Sequence, residues 1–127
     1  MFKTIDHVEM IIGNVEKTLS FYTDILGFNL ISRKKSDSPT ISEFIFIELG
    51  GAVVEILVAR DSSPTPREQS QTGFYRIALQ VENMAKTLAY LKEKGVTISR
   101  EPASSEPPRY ASILDPEGHS IELKQPE

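Results

Sequence analysis

Four ionisable residues stand within otherwise apolar, β-like stretches, and they are the first candidates for chemistry: His7, Glu55, Arg76 and Glu122. Imidazole and carboxylate groups bind divalent metals and transfer protons. A guanidinium group has no lone pair to give a metal, but it binds carboxylates through two parallel hydrogen bonds. The set therefore indicates either a metal site with one unsuitable member, Arg76, or a site in which this arginine is paired with the glutamates.

Two helices and eight strands are predicted to position these residues. Asn14 is expected to cap a helix that ends at Gly27, and Asn83 and Gly95 have the same roles in the second half. Apolar residues recur at helical spacing between each cap and its glycine. Apolar runs predict strands at residues 2–12, 28–33, 41–49 and 52–59, and again at 74–81, 96–100, 109–114 and 119–124.

The order of these elements repeats along the chain. Asn83 follows Asn14 by 69 residues, and Gly95 follows Gly27 by 68. The two halves share a strand, a helix cap, a helix and a terminating glycine, separated by nearly the same number of residues. This similarity predicts a duplication. The expected fold is a single α+β domain over residues 1–127. It consists of two βαβββ modules, 1–59 and 73–127, joined by a polar, proline-bearing linker at 60–72.

The repeat also predicts which side chains face the same way. Side chains alternate between the two faces of a strand, so His7 and Glu55 are expected on the face away from the first helix. At the repeat offset, His7 corresponds to Arg76 and Glu55 corresponds to Glu122. All four side chains would converge if the two sheets curve into a cup.

Composition excludes several classes of function. The chain has no cysteine, which excludes disulfides, cysteine–zinc sites, iron–sulfur clusters and thiol nucleophiles. A net charge of −4 argues against a nucleic-acid partner, and no apolar run reaches the length of a membrane span. The first residues lack the features of a signal peptide. We therefore expect a cytoplasmic protein with no nucleic-acid or membrane partner.

Two motifs carry a resemblance to a known family. The segment VEKTLSFYTDILGF resembles the first-helix motif of the vicinal-oxygen-chelate superfamily, and LDPEGHSIEL resembles its closing turn and strand. This superfamily includes glyoxalases, bleomycin-resistance proteins and dioxygenases, and the chain is most similar to its glyoxalase I-like members. The resemblance covers nearly the whole chain and implies a cup-shaped, half-barrel mixed sheet with the helices on its outer face.

The resemblance also implies a metal site and an activity. Family enzymes hold a divalent metal, here nickel, zinc, cobalt or manganese, at the positions of His7, Glu55, Arg76 and Glu122. The implied ligands are His7, Glu55 and Glu122, with Arg76 at the missing fourth position. Glu122 and Glu55 are the implied catalytic carboxylates of a lyase or isomerase acting on vicinal-oxygen substrates, such as the hemithioacetal of an α-ketoaldehyde and a thiol.

Arg76 keeps a second hypothesis open. Extradiol dioxygenases and fosfomycin-resistance enzymes resemble each other in needing a histidine there, so the arginine disfavours both. In one alternative, Arg76 pairs with Glu55 or Glu122 in place of a metal. In another, its side chain points away and leaves a three-ligand site. In a third, it binds an anionic group of the substrate. The alternative function is therefore a metal-free protein that sequesters a small molecule, as bleomycin-resistance proteins do. By resemblance, the protein is also expected to be a homodimer.

Two further expectations concern residues outside the candidate site. His119 precedes the last strand and is interpreted as a turn residue. The basic run Arg33-Lys34-Lys35 is interpreted as a solvated loop.

Overall fold

The computed structural model describes residues 1–62, 67–68, 70–104 and 107–127. The chain divides into two compact units, Met1–Thr65 and Pro66–Glu127, and each is described here by itself. The predicted linker at 60–72 lies partly outside the described residues, so its extent stays a prediction.

The first unit has one helical segment and four strands. Strand β1 (Val8–Ile12) leads to α1 (Val15–Ser20), which continues into a π-helical turn at Phe21–Ile25. Strands β2 (Asn29–Lys35), β3 (Ile41–Leu49) and β4 (Ala52–Ala59) follow. The sheet order is β1-β4-β3-β2. Strand β1 pairs with β4 in parallel, and the other pairs are antiparallel.

The second unit repeats this arrangement. Its elements are β5 (Ile77–Gln80), α2 (Met84–Glu93), β6 (Ile98–Arg100), β7 (Tyr110–Leu114) and β8 (Ser120–Lys124). The sheet order is β5-β8-β7-β6, again with its first and last strands parallel. The prediction of an α+β fold with two four-stranded mixed sheets is confirmed. The predicted strands 2–12 and 74–81 are too long, because pairing with β4 and β8 begins only at Val8 and Ile77.

Equivalent residues begin and end the two helices. The side chains of Asn14 and Asn83 accept hydrogen bonds from the backbone N–H groups of Lys17 and Lys86, at 3.1 and 3.0 Å. Each bond satisfies an amide that has no partner inside the helix. After each helix the chain turns at a glycine with positive φ, Gly27 at 87° and Gly95 at 77°, a conformation that costs glycine little.

The apolar core of the first unit lies on one face of its sheet. Buried residues alternate along β3 and β4, as expected of strands with one face covered. Arg33 on β2 binds Glu16 of α1 at 3.3 Å and the buried Glu43 of β3 at 2.6 Å, which places the helix over this face. The opposite face carries Phe46 and Glu55, which are partly exposed.

The expectation that Arg33-Lys34-Lys35 forms a loop is wrong. These residues belong to β2, which is an edge strand of its sheet. Charged residues are common on edge strands because they oppose pairing with other chains. Arg33 has a further role, since its Nε and Nη2 atoms donate to the two carboxylate oxygens of Glu43 at 2.6 and 3.0 Å.

Candidate functional site

His7 lies beside three carboxylates in the first unit. Its Nδ1 is 2.8 Å from Asp6 Oδ2, its Nε2 is 3.1 Å from Glu9 Oε2, and its Nε2 is 3.6 Å from Glu55 Oε1. The His7 side chain is 25% exposed and that of Glu55 is 13% exposed. The cluster is therefore partly buried and open on one side. We call His7, Glu9 and Glu55 the first-unit cluster.

The parallel pairing of β1 with β4 brings this cluster together. Glu9 is the register partner of Glu55, so both side chains leave the same face of the sheet side by side. His7 is two residues before Glu9 and therefore points to that face as well. In the next strand Phe46 is the partner of Glu55, and the edge of its ring meets the imidazole at 5.6 Å between centroids.

Hydrogen bonding and burial shift the acid–base behaviour of the cluster. The hydrogen bond to Asp6, and next the one to Glu9, raise the pKa of His7 above its ordinary 6.5. Burial, with repulsion from Glu9, raises the pKa of Glu55 above its ordinary 4.5. Both shifts favour the protonated form, as expected where negative charge gathers away from water. A cation at this point would relieve the same repulsion.

The ligand atoms of the first-unit cluster fit a divalent metal. One nitrogen of His7 and one oxygen each from Glu9 and Glu55 lie within 4.8 Å of one another. Imidazole nitrogen with carboxylate oxygen is a donor set used by zinc, nickel, cobalt and manganese.

Arg76 donates three hydrogen bonds in the second unit. Its Nη2 donates to Glu122 Oε2 at 2.8 Å, and its Nη1 donates to the hydroxyls of Ser112 and Ser120 at 3.0 and 3.1 Å. The guanidinium also lies over the Tyr75 ring, 4.7 Å from its centroid. The expectation that Arg76 pairs with at least one of the two glutamates is confirmed for Glu122. We call Arg76, Glu122, Ser112 and Ser120 the second-unit cluster.

Each unit thus brings together two of the four residues singled out in the sequence. His7 and Glu55 are neighbours in the first unit, and Arg76 and Glu122 form an ion pair in the second. The convergence of all four residues, and the ligation of one metal by His7, Glu55 and Glu122, stay predictions.

Sequence reasoning missed Asp6, Glu9 and the two serines as partners. Glu9 carried a usable signal, because a residue two positions from His7 on a strand shares its face. Its proximity to Glu55 became apparent only from the register of β1 with β4.

His119 lies outside both clusters, as its interpretation as a turn residue requires. Its Nδ1 is 2.8 Å from Oδ2 of the buried Asp115. Asp115 also accepts hydrogen bonds from the backbone N–H groups of Glu117 and His119, each at 2.9 Å. These contacts close the turn before β8.

No helix among the described residues combines the length and apolarity needed to cross a membrane.

Known proteins share this sequence pattern and fold. A model of the Glyoxalase/Bleomycin resistance protein/Dioxygenase superfamily matches residues 4–123. A Synechocystis sp. protein named "Probable lactoylglutathione lyase" is 34% identical over 130 residues, covering 94% of this chain and 92% of that protein. A glyoxalase family protein from Enterococcus faecalis has a TM-score of 0.82 at 24% identity, covering 97% of this chain and 98% of that one. An antibiotic binding protein from Streptomyces sp. has a TM-score of 0.66 at 25% identity, covering 99% and 100%.

Proposed function

The chain belongs to the Glyoxalase/Bleomycin resistance protein/Dioxygenase superfamily, and we propose that within it this protein is a metal-dependent lyase of the glyoxalase I type. The observation that carries the proposal is the approach of His7 Nε2 to Glu55 Oε1 at 3.6 Å on the open face of the first sheet. The name of the Synechocystis relative supports the substrate class. We propose the hemithioacetal of an α-ketoaldehyde and a thiol.

The proposed roles follow the chemistry of the residues. His7 and Glu55 hold the cation, which would supply Lewis-acid stabilisation of the negative charge developing on two adjacent substrate oxygens. Glu122 would remove the proton from the carbon that carries the hydroxyl group and sulfur and return it to the neighbouring carbonyl carbon. The proton of the hydroxyl group passes to the former carbonyl oxygen, so both oxygens keep their valence. The product is a 2-hydroxy thioester, so the reaction is an isomerisation with no gain or loss of atoms.

Arg76 has a positioning role and a binding role in this proposal. Its contacts with Ser112 and Ser120 fix the guanidinium, which in turn fixes one oxygen of Glu122. A general base must be held within hydrogen-bond reach of the proton that it removes. The same guanidinium is suited to an anionic group of the substrate.

The test is turnover of the hemithioacetal of methylglyoxal and glutathione by protein loaded with nickel or zinc. Glu122→Gln should lower kcat by about a hundredfold or more, because general acid–base groups contribute that much. Glu93→Gln, an exposed change on α2, is the matched control and should leave kcat unchanged. Absence of turnover by the metal-loaded wild type, or full activity of Glu122→Gln, would contradict the proposal.

A metal-free binding protein is the second candidate, and the Arg76–Glu122 pair favours it. A permanent cation already neutralises one carboxylate that the family resemblance assigns to the metal. The fold is shared with an antibiotic binding protein. Elemental analysis of purified protein separates the candidates, since stoichiometric tightly bound metal would exclude this one.

We also propose that the protein is a homodimer. Each four-stranded sheet ends in edge strands, and unpaired edges are sites of association. Large apolar side chains near the start of the chain are exposed, with Phe2 at 96%, Ile5 at 82% and Ile11 at 61%. Patches of this kind mark protein interfaces. Light scattering at micromolar concentration should give twice the mass of one chain, and a strict monomer would contradict the proposal.

A further inference from the structure

We propose that Glu9 is a protein ligand of the divalent cation and that Asp6 is the positioning residue for His7. The first unit would then provide three ligands on its own, His7, Glu9 and Glu55, where the family resemblance provides two. This inference rests on the proposed function for the presence of a cation and deepens it by naming a ligand outside the resemblance.

The hydrogen bonds of His7 supply the first argument. Asp6 accepts at Nδ1 with a distance of 2.8 Å, so the proton of a neutral imidazole lies on Nδ1 and the lone pair lies on Nε2. That lone pair faces Glu9 Oε2 at 3.1 Å and Glu55 Oε1 at 3.6 Å. In the neutral ring, one nitrogen and two carboxylate oxygens therefore face one another, which is the arrangement of donor atoms that a cation requires.

The distances supply the second argument. An ion with ligands at about 2.0–2.2 Å in tetrahedral or octahedral geometry holds neighbouring ligand atoms roughly 3–3.5 Å apart. The two distances from Nε2 are 3.1 and 3.6 Å. Two of the three spacings in the cluster are therefore close to those that a bound ion imposes, and all three ligand atoms lie within 4.8 Å of one another.

The backbone supplies the third argument. Glu9 and Glu55 are register partners on parallel strands, so their proximity is built into the sheet and does not depend on a flexible loop. A carboxylate on the second nitrogen of a ligating histidine is a recurrent feature of metal sites, because it fixes the ring and its tautomer. Asp6 occupies that position.

In the second unit, the residue at the position equivalent to His7 is unsuited to a metal. Arg76 stands where the resemblance expects a histidine, and it also holds Glu122 at 2.8 Å. A guanidinium cannot ligate a metal. Within the first unit, Glu9 raises the number of donors beside His7 and Glu55 from two to three.

Isothermal titration calorimetry with nickel and with zinc tests the inference on the full chain. Glu9→Gln should weaken the affinity by more than about tenfold, because loss of outer-shell partners alone costs that much. Glu93→Gln is the matched control and should bind as the wild type does. Circular dichroism of each variant verifies that the fold is retained.

Two variants of Asp6 test its positioning role. Asp6→Ala removes the acceptor at Nδ1 and should weaken metal affinity by about tenfold. Asp6→Asn keeps an oxygen acceptor and should recover most of the loss. Equal affinities of the alanine variant and the wild type would overturn the role of Asp6, as would a failure of asparagine to recover affinity.

The outcomes distinguish this inference from the proposed function. If the wild type binds metal and Glu9→Gln binds it equally well, the inference is wrong and the proposed function stands. If Glu9→Gln weakens binding but the metal-loaded wild type does not turn over the hemithioacetal, the inference stands and the proposed function is wrong. If the wild type binds neither metal, both are wrong.

Discussion

The two units carry opposite charge arrangements at repeat-equivalent positions. In the first, His7 faces Glu9 and Glu55, and acceptor atoms converge on one point. In the second, Arg76 replaces the histidine and is bound to Glu122. The strand order and the helix caps are the same in both units. Two positions therefore separate an acidic cluster that favours a cation from an ion pair: Arg76 stands where the first unit has His7, and Ala78 stands beside Glu122 where the first unit has Glu9 beside Glu55.

The units also share an arginine–glutamate pair in different surroundings. In the first unit Arg33 binds Glu43 on the helix-covered face, where the glutamate side chain is 5% exposed. In the second unit Arg76 binds Glu122, whose side chain is 27% exposed. The first pair is placed to stabilise the fold, and the second is placed where solutes reach it.

Replacing Arg76 with histidine should remove the main chemical difference between the two units. It should give the largest change of all the predictions, in the affinity for metal. Arg76→His removes a permanent cation and adds an imidazole donor at the position where the family resemblance implies one. Affinity for nickel or zinc should rise on the order of a hundredfold, as measured by calorimetry. Arg76→Lys keeps the positive charge and is the control, with no gain expected. A tightly bound stoichiometric metal in the wild type would show that Arg76 does not prevent binding.

Removing the negative charge from each arginine–glutamate pair should show which pair contributes more to the free energy of unfolding. Glu43→Gln should lower the free energy of unfolding by about 1–3 kcal/mol, because it takes a charged hydrogen-bond partner from a buried pair. Glu122→Gln should cost less than about 1 kcal/mol, since the Glu122 side chain is more exposed than that of Glu43 and is better solvated. Urea denaturation of the two variants measures both. A greater loss for Glu122→Gln would reverse the assignment of structural and functional pairs.

The pH dependence of Glu43 provides a second measure of the same pair. Arg33 holds the pKa of Glu43 below its ordinary 4.5. A group with a depressed folded-state pKa stabilises the protein above its unfolded pKa, and this contribution is lost as the pH falls through the folded value. Stability should therefore fall below pH 4.5, and Glu43→Gln should flatten the fall. An unchanged acid profile in the variant would contradict the prediction.

The titration of the two histidines, one in each unit, should have the smallest effect on the stability of the protein. The hydrogen bond to Asp6 raises the pKa of His7, and the hydrogen bond to Asp115 raises the pKa of His119, both above 6.5. A raised folded-state pKa gives stability that is fully present below pH 6.5 and lost as the pH rises through the folded value.

Proton NMR titration of the imidazole rings separates the two sites. Asp115→Asn should lower the pKa of His119 toward 6.5 and leave that of His7 unchanged. Asp6→Asn should lower the pKa of His7 toward 6.5 and leave that of His119 unchanged. Each variant is thus the control for the other. A pKa for either wild-type histidine at or below 6.5 would contradict the assigned hydrogen bond.

Much of the fold was predictable because it depends on local signals. Asn14 and Gly27 mark one helix, Asn83 and Gly95 mark the other, and alternating apolar residues mark the strands. Each of these signals determines the structure of residues only a few positions away in the chain. Strand ends were less predictable, because residues such as Phe2 and Phe74 have strand-like composition but lie outside the paired residues of β1 and β5.

The sequence by itself determined the duplicated α+β scaffold, the common face of His7 and Glu55, and the presence of an arginine that cannot ligate a metal. Only the tertiary structure decided which partners these side chains have. Glu9 stands beside Glu55 because β1 is parallel to β4 in a register that pairs the two residues. Ser112 and Ser120 hold Arg76 because β7 and β8 pass beside it. Such contacts join residues far apart in the chain, and they depend on strand register, which alternation along a single strand leaves open.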